Sequence, residues 1–267
     1  MNLREIIMDA IKYPISDTRK FLIFCALIIL MSLSTIVPSY GIKDGTLSII
    51  LSLVTLIVSF VVLGYSVEVI KSGTEVSDTL PDFDYVKQFV IGIKALILDI
   101  IYFIIPVILV IIVASASGLF SSFTEIVYSS IDAISNNATS LTMIMEAIPQ
   151  STINTFTNAL TITLIVGIIL FIIFSLMSFT GLVRFAKTGS GTEGLRFREI
   201  LKDMSNIGFI KIIVTLIVIY IIAFALVVVI GLIGLIPYIG VFIGIFIGVP
   251  FILLFLYRAI GLLYADA

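Results

Sequence analysis

The 267-residue chain contains no histidine, which removes imidazole proton relays and His-based catalytic triads from consideration. Cys25 is its single cysteine, so no internal disulfide can form, and no Cys or His cluster offers ligands to a metal ion. Charge is scarce as well: 12% of residues are charged, against roughly 25% in soluble domains. A net charge of -2 without a concentrated basic run argues against nucleic acid, whose phosphates need a basic patch. What the chain has instead is 60% hydrophobic residues and a mean hydropathy of +1.29. These values place it in lipid, as an all-α polytopic membrane protein forming one integral membrane domain over 1–267.

A hydrocarbon core about 30 Å thick takes roughly 20 apolar residues of helix, because only a helix satisfies its own backbone polar groups in lipid. Residues 21–38, "FLIFCALIILMSLSTIVP", make one such run. A second lies between Asp44 and Glu68, a third from Lys94 to about Ala114 interrupted by Asp99, and a fourth from about Leu160 to Val183. The 46 uncharged residues between Lys211 and Arg258 are too many for one crossing, and "GLIGLIPYIG", 231–240, supplies the Gly and Pro of a turn. Six helices result. The basic flank before the first run is 20 residues long and no A-x-A-like site follows "STIVPSYG", so the first span is expected to be uncleaved.

Lysine and arginine are retained on the cytoplasmic side of membranes. With the N-terminus inside, 14 of the 15 basic residues fall on that side and only Lys43 lies opposite, which predicts a cell-membrane protein with both termini cytoplasmic. The polar stretch "KSGTEVSDTLPDFDYVKQFV", 71–90, is then cytoplasmic. Thr79 and Asp82 have capping-box spacing and Pro81 suits a first turn, which predicts an amphipathic interfacial helix from about Pro81. Its apolar arc is Phe83, Val86, Phe89, Val90 and Ile93.

The same device recurs. "LREIIMDA", 3–10, aligns with "FREILKDM", 197–204, with Arg, Glu, Ile and Asp coincident, and each precedes a span. "GYSVEVIKSGTE" from Gly64 and "GLVRFAKTGSGTE" from Gly181 both exit a span through Lys, Ser or Thr, Gly and Thr-Glu. The pattern predicts three units of interfacial helix, span, span, over about 1–74, 79–190 and 195–267. Such repetition is common in transporters and also occurs in membrane proteins that transport nothing.

Gly64-Tyr65, then Leu80-Pro81-Asp82-Phe83, then Gly92 and Lys94 in "FVIGIKALI" resemble the hallmark of an uncharacterised, largely archaeal family of multi-pass membrane proteins, domain of unknown function four thousand and thirteen. "RFAKTGSG" followed by "FREIL" is similar to that family too, while Ile91 stands where the family pattern has an acidic residue. The resemblance implies membrane location and six helices; it implies no activity, cofactor or catalytic residue. In pattern only, the chain is also similar to the non-catalytic membrane domains that accompany glycerophosphodiester phosphodiesterases.

Four ionisable residues sit in or at the ends of spans: Asp99, Arg258, Glu68 and Arg184. Such groups usually face a bundle interior or a wet cavity. One reading gathers them into a cytoplasm-facing polar vestibule in which Asp99 and Arg258 meet. The other has the arginines snorkel to headgroups, Glu68 solvated beside Lys71, and Asp99 hydrated or paired with Lys94. Gly240, Gly244 and Gly248 form a flat stripe for close helix approach, within the monomer or across a homodimer. Pro106 and Pro250 predict bends. The loop 116–157 has no Lys or Arg and is expected outside, with a helical arc of Phe120, Phe123, Val127, Ile131 and Ile134, a short helix at "LTMIMEAI", and an acceptor sequon at Asn137.

No nucleophile, metal or nucleotide motif appears, so an enzyme is not expected. Two classes remain open: a transporter or flippase for a small or lipidic substrate, and a non-enzymatic scaffold or assembly partner of another membrane protein or of a second copy. The lipid bilayer is the partner common to both.

Overall fold

The computed structural model describes residues 1–42, 44–236 and 239–265. Lys43, Pro237 and Tyr238 of the stretch where a turn is expected between the fifth and sixth spans, and Asp266 and Ala267 lie outside the described residues. In chain order the helices are α1 (Leu3–Lys12), α2 (Thr18–Ser39), α3 (Gly45–Thr74), α4 (Tyr85–Ala116), α5 (Leu119–Ser135), α6 (Leu141–Glu146), α7 (Gln150–Thr188), α8 (Phe197–Ile207), α9 (Phe209–Gly234), α10 (Ile239–Ile243) and α11 (Val249–Leu263). A π-helical segment, Gly244–Gly248, leads into α11. Among the described residues six helical segments are long and apolar enough to cross a membrane: α2, α3, α4, α7, α9 and Gly244–Leu263. The protein is an integral membrane protein, with six span-length helical segments among its described residues.

Local chemistry sets the starts. Asn2 and Glu5 form a reciprocal capping box on α1, Asp17 accepts from the Lys20 amide to open α2, and Asp44 accepts from the Leu47 amide to open α3. The helix expected from Pro81 begins at Tyr85 instead. Residues 81–84 have no regular structure, the cap is Asp84, whose carboxylate accepts from the Lys87 amide at 3.1 Å, and α4 then runs on without a break to Ala116. The reason lies in carbonyls already engaged: Leu80 O accepts from Lys20 Nζ at 2.7 Å and Pro81 O from the Tyr65 hydroxyl at 3.2 Å.

The chain divides into two compact units. Unit 1, Met1–Asp99 with Met177–Ala267, is built on backbone-to-backbone approaches at glycine. A Cβ on Gly64 would stand 1.8 Å from Gln88 O, and one on Gly92 1.9 Å from Phe60 O, so α3 and α4 cross where only hydrogen fits. Gly261 meets Ile70 O in the same way at 2.3 Å, seating α11 on α3. Tyr65 stacks on Phe83 with centroids 4.3 Å apart and on Phe24 at 5.2 Å, closing the core around buried Leu80. The glycine stripe is covered by the same chain: Gly244 and Gly248 face the Ile230 side chain of α9, and Gly240 faces Ile233 O.

Unit 2, Ile100–Leu176, holds α5, α6 and adjoining lengths of α4 and α7. The loop expected over 116–157 is mostly helical. The arc Phe120, Phe123, Val127, Ile131 and Ile134 lies on α5 and is exposed, the "LTMIME" helix is α6, and Asn137 ends α5 region with positive φ, a conformation Asn tolerates.

Candidate functional site

The polar groups of unit 1 concentrate where α3, α7 and α11 end. Arg258 of α11 is fully buried, an expensive place for a charge unless it is paired and hydrogen-bonded. Its Nε donates to Asp9 Oδ1 at 2.7 Å and its Nη2 to Asp9 Oδ2 at 3.2 Å, a two-pronged pair with α1. Its Nη1 donates to Ser72 O at 2.9 Å, Ser77 O at 2.8 Å and Ser72 Oγ at 3.2 Å. Ser72 lies in the last turn of α3, where a cation also meets the negative end of the helix dipole.

The Tyr13 ring lies 4.2 Å from the guanidinium carbon, and the Tyr13 hydroxyl bonds Ser72 Oγ and donates to Thr79 O at 3.0 Å. Burial pushes that hydroxyl above its ordinary range, partly offset by the Ser72 bond, so it stays neutral at physiological pH. One arginine thus ties together α1, the end of α3, the 75–80 loop and α11. A cavity of about 200 Å³ beside it is lined by Asp9, Lys12, Tyr13, Ser16, Asp78 and Arg258.

Arg184, near the end of α7, is arranged in a related way. Its Nη1 donates to Asp203 Oδ2 of α8 at 2.6 Å, its Nη2 to Glu193 Oε2 at 3.1 Å, and Arg196 adds a second cation on Glu193 at 2.9 Å. Glu68, near the end of α3, accepts from Lys87 Nζ at 2.6 Å and from Gln88 Nε2 at 2.7 Å, both in the first turn of α4. Asp99 accepts from Ser178 Oγ at 2.6 Å.

The four residues singled out in the sequence therefore take other partners than one another. The expectation that Asp99 faces Arg258 is corrected: the guanidinium is engaged by Asp9, Ser72 and Ser77, and Asp99 by Ser178. Glu68 and Arg258 also line different cavities. The motif residues Gly64, Tyr65, Leu80, Pro81, Phe83 and Gly92 meet where α3 and α4 cross and in the core beside that crossing. Asp82 pairs with Lys20 at 2.8 Å, and Lys94 lines a cavity between α3, α4 and α7.

The residues that sequence reasoning passed over are Asp9, Asp203, Tyr13 and Ser72. A signal for the first two was present, since Asp9 and Asp203 are the coincident aspartates of "LREIIMDA" and "FREILKDM". Among the described residues no group of three or more His, Cys, Asp or Glu could hold a metal ion.

A family model described as protein of unknown function (DUF4013) matches residues 47–235, from α3 to just past the end of α9. No curated protein and no solved structure matches the chain. The match contains the Arg184 cluster and the Gly64 to Lys94 motif; Asp9 and Arg258 lie on either side of it.

Proposed function

As the chain belongs to the family described as protein of unknown function (DUF4013), we propose its role from its geometry: a non-enzymatic membrane scaffold, or assembly partner of another membrane protein or of a second copy, embedded in the cell membrane with both termini cytoplasmic. The observation that carries this reading is the closed state of Arg258. The charge that could have served a substrate path is fully buried and bonded to three separate elements of its own chain. A transporter that exposes its site to both sides in turn needs elements that part and rejoin, whereas this contact set favours one arrangement. The orientation rests on the 14 of 15 basic residues that share a side. Single cysteines at Ser190 and Ser129 in a Cys25→Ser background test it: the first is expected to be shielded from an impermeant thiol reagent in intact cells, and the second labelled.

Transport of a small or lipidic substrate is the second reading, favoured by Asp99 with Ser178 inside the span segments. Hydrogen exchange on the purified protein in lipid nanodiscs separates the two. The scaffold predicts one slowly exchanging population over residues 3–12, 72–80 and 256–263. Two interconverting populations, one with these segments open together, would overturn it in favour of alternating access.

A further inference from the structure

The segment between α4 and α7 carries an apolar surface that its own chain leaves open. At 100° per residue the side chains of α5 fall into three sectors. One is packed: Ser122 and Ala133 are buried and Ile126 is half-buried. A second is polar, with Ser121, Glu125 and Asp132 exposed. The third is the arc Phe120, Phe123, Val127, Ile131 and Ile134, whose members are 38–58% exposed. Beside it, α6 packs on α5 and adds exposed Leu141, Met143 and Met145. An exposed apolar stripe rimmed by polar residues marks an interaction surface. We propose that α5 lies flat in the headgroup layer of the bilayer, with this arc among the uppermost acyl carbons and Glu125 and Asp132 in water.

Chain geometry sets the depth. Ile104, Ile108, Ile111 and Ile112 of α4 are exposed where the helix crosses the membrane, and α4 ends at Ala116, roughly 6 Å of helix beyond Ile112. The headgroup layer on each side of the hydrocarbon core is about 5–8 Å deep. Only Ser117 and Gly118 separate α4 from α5, and Gly118 takes a left-handed conformation, φ 82°, that turns the chain at this level. The start of α5 then rests against α7: the Phe123 and Phe156 rings lie 6.3 Å apart, and a Cβ on Gly118 would stand 3.7 Å from the Thr155 methyl. Lipid-facing apolar surface thus follows α4 to Ile112 and resumes at Phe120, continuous with the membrane contact of the spans.

Charge narrows the kind of lipid. Residues 116–157 hold three carboxylates, Glu125, Asp132 and Glu146, and no Lys or Arg. Interfacial helices gain from apolar burial and from cations that attract anionic headgroups. This one has the first contribution without the second, so the surface it fits is one of lipids without net charge. The seat does not depend on whether the protein is a scaffold or a transporter, nor on which leaflet α5 meets.

The test uses the full-length protein in phosphatidylcholine nanodiscs, in a Cys25→Ser background with one nitroxide at a time. Val127→Cys and Ile131→Cys place the label in the arc, and Glu125→Cys and Asp132→Cys place it in the polar sector; all four positions are exposed. Electron paramagnetic resonance compares collision with oxygen, which concentrates among acyl chains, with collision with a water-soluble nickel chelate. The oxygen-to-nickel ratio is expected to be several-fold higher at Val127 and Ile131 than at Glu125 and Asp132. A pattern without that contrast overturns the proposal: nickel favoured throughout would leave the arc in water, open to a soluble partner, and oxygen favoured throughout would put the carboxylates in lipid. Spin–spin broadening at Val127 or Ile131 that disappears on dilution with unlabelled protein would also overturn it, since a second copy would then cover the arc.

Discussion

Arg258 and Arg184 each take an aspartate from the seventh position of the same eight-residue pattern, Asp9 in "LREIIMDA" and Asp203 in "FREILKDM". Their surroundings differ. Arg258 is sealed, with an aromatic ring against the guanidinium and two backbone carbonyls sharing Nη1. The Arg184 side chain keeps 19% exposure and satisfies itself with two carboxylates, one of them shared with the exposed Arg196. One motif thus yields two contacts of unlike energy, because a guanidinium removed from water depends on every partner it has, whereas one in contact with water can replace a lost partner. The ion pair is common to both; the cost of breaking it is set by the seal.

Six substitutions would break or sharpen that contrast. The largest effect is expected for Arg258→Gln, which takes the donor from the buried Ser72 carbonyl, from the Ser77 carbonyl and from the partly exposed Asp9 and should cost about 3–5 kcal/mol in unfolding free energy. Asp9→Asn alone should be comparably harmful, and the double variant should lose less than the sum. A double-mutant cycle additive within about 0.5 kcal/mol would mean that the seal contributes nothing to the coupling. Next is Gly261→Ala, whose Cβ would meet Ile70 O at 2.3 Å and push α11 off α3. A loss of about 1–3 kcal/mol is expected. Gly191→Ala, in the loop before α8 with open space around it, should melt like the unsubstituted protein.

Arg184→Gln should cost about 1 kcal/mol, and the loss should shrink as salt is raised, since solvent screens this pair. A salt-independent loss as large as that of Arg258→Gln would erase the distinction. A smaller effect still belongs to Asp82, an exposed carboxylate held below its usual range by the hydrogen bond and charge of Lys20. A depressed carboxylate contributes stability that is present above its unfolded value and lost as pH falls through its folded one. Asp82→Asn should therefore melt slightly lower at neutral pH, and the difference should vanish in acid; a gap that widens on acidification would reverse the assignment.

How far the sequence revealed this arrangement depended on the kind of interaction. Run length against bilayer thickness located the spans, because apolar length is a local property, and the exposed α5 arc was visible as helical spacing for the same reason. Gly64 and Gly92 stood out as motif residues, but what they do is a contact between two backbones, which a one-dimensional pattern does not display. Arg258 was identifiable as an unusual charge; its partner was not. Asp9 lies in a helix that looks solvated by composition, and the contact joins residues 249 positions apart. The start of α4 was misplaced because the capping spacing at Thr79 and Asp82 is sound locally, while the Leu80 and Pro81 carbonyls are claimed by Lys20 and Tyr65, which are distant in sequence.

That separation has a consequence in time. Chains emerge at about 5–20 residues per second, so Arg258 follows Asp9 by roughly 12 to 50 s. Throughout that interval α1 has been made but its anchor has not, and Ser72 and Ser77 wait with carbonyls that only later receive the guanidinium. Although it is made well before α11, α1 is thus fastened only when α11 arrives, and its docking reports that arrival. A nascent chain stalled short of Arg258 is expected to leave α1 open to added protease, and one released past it to protect the same segment.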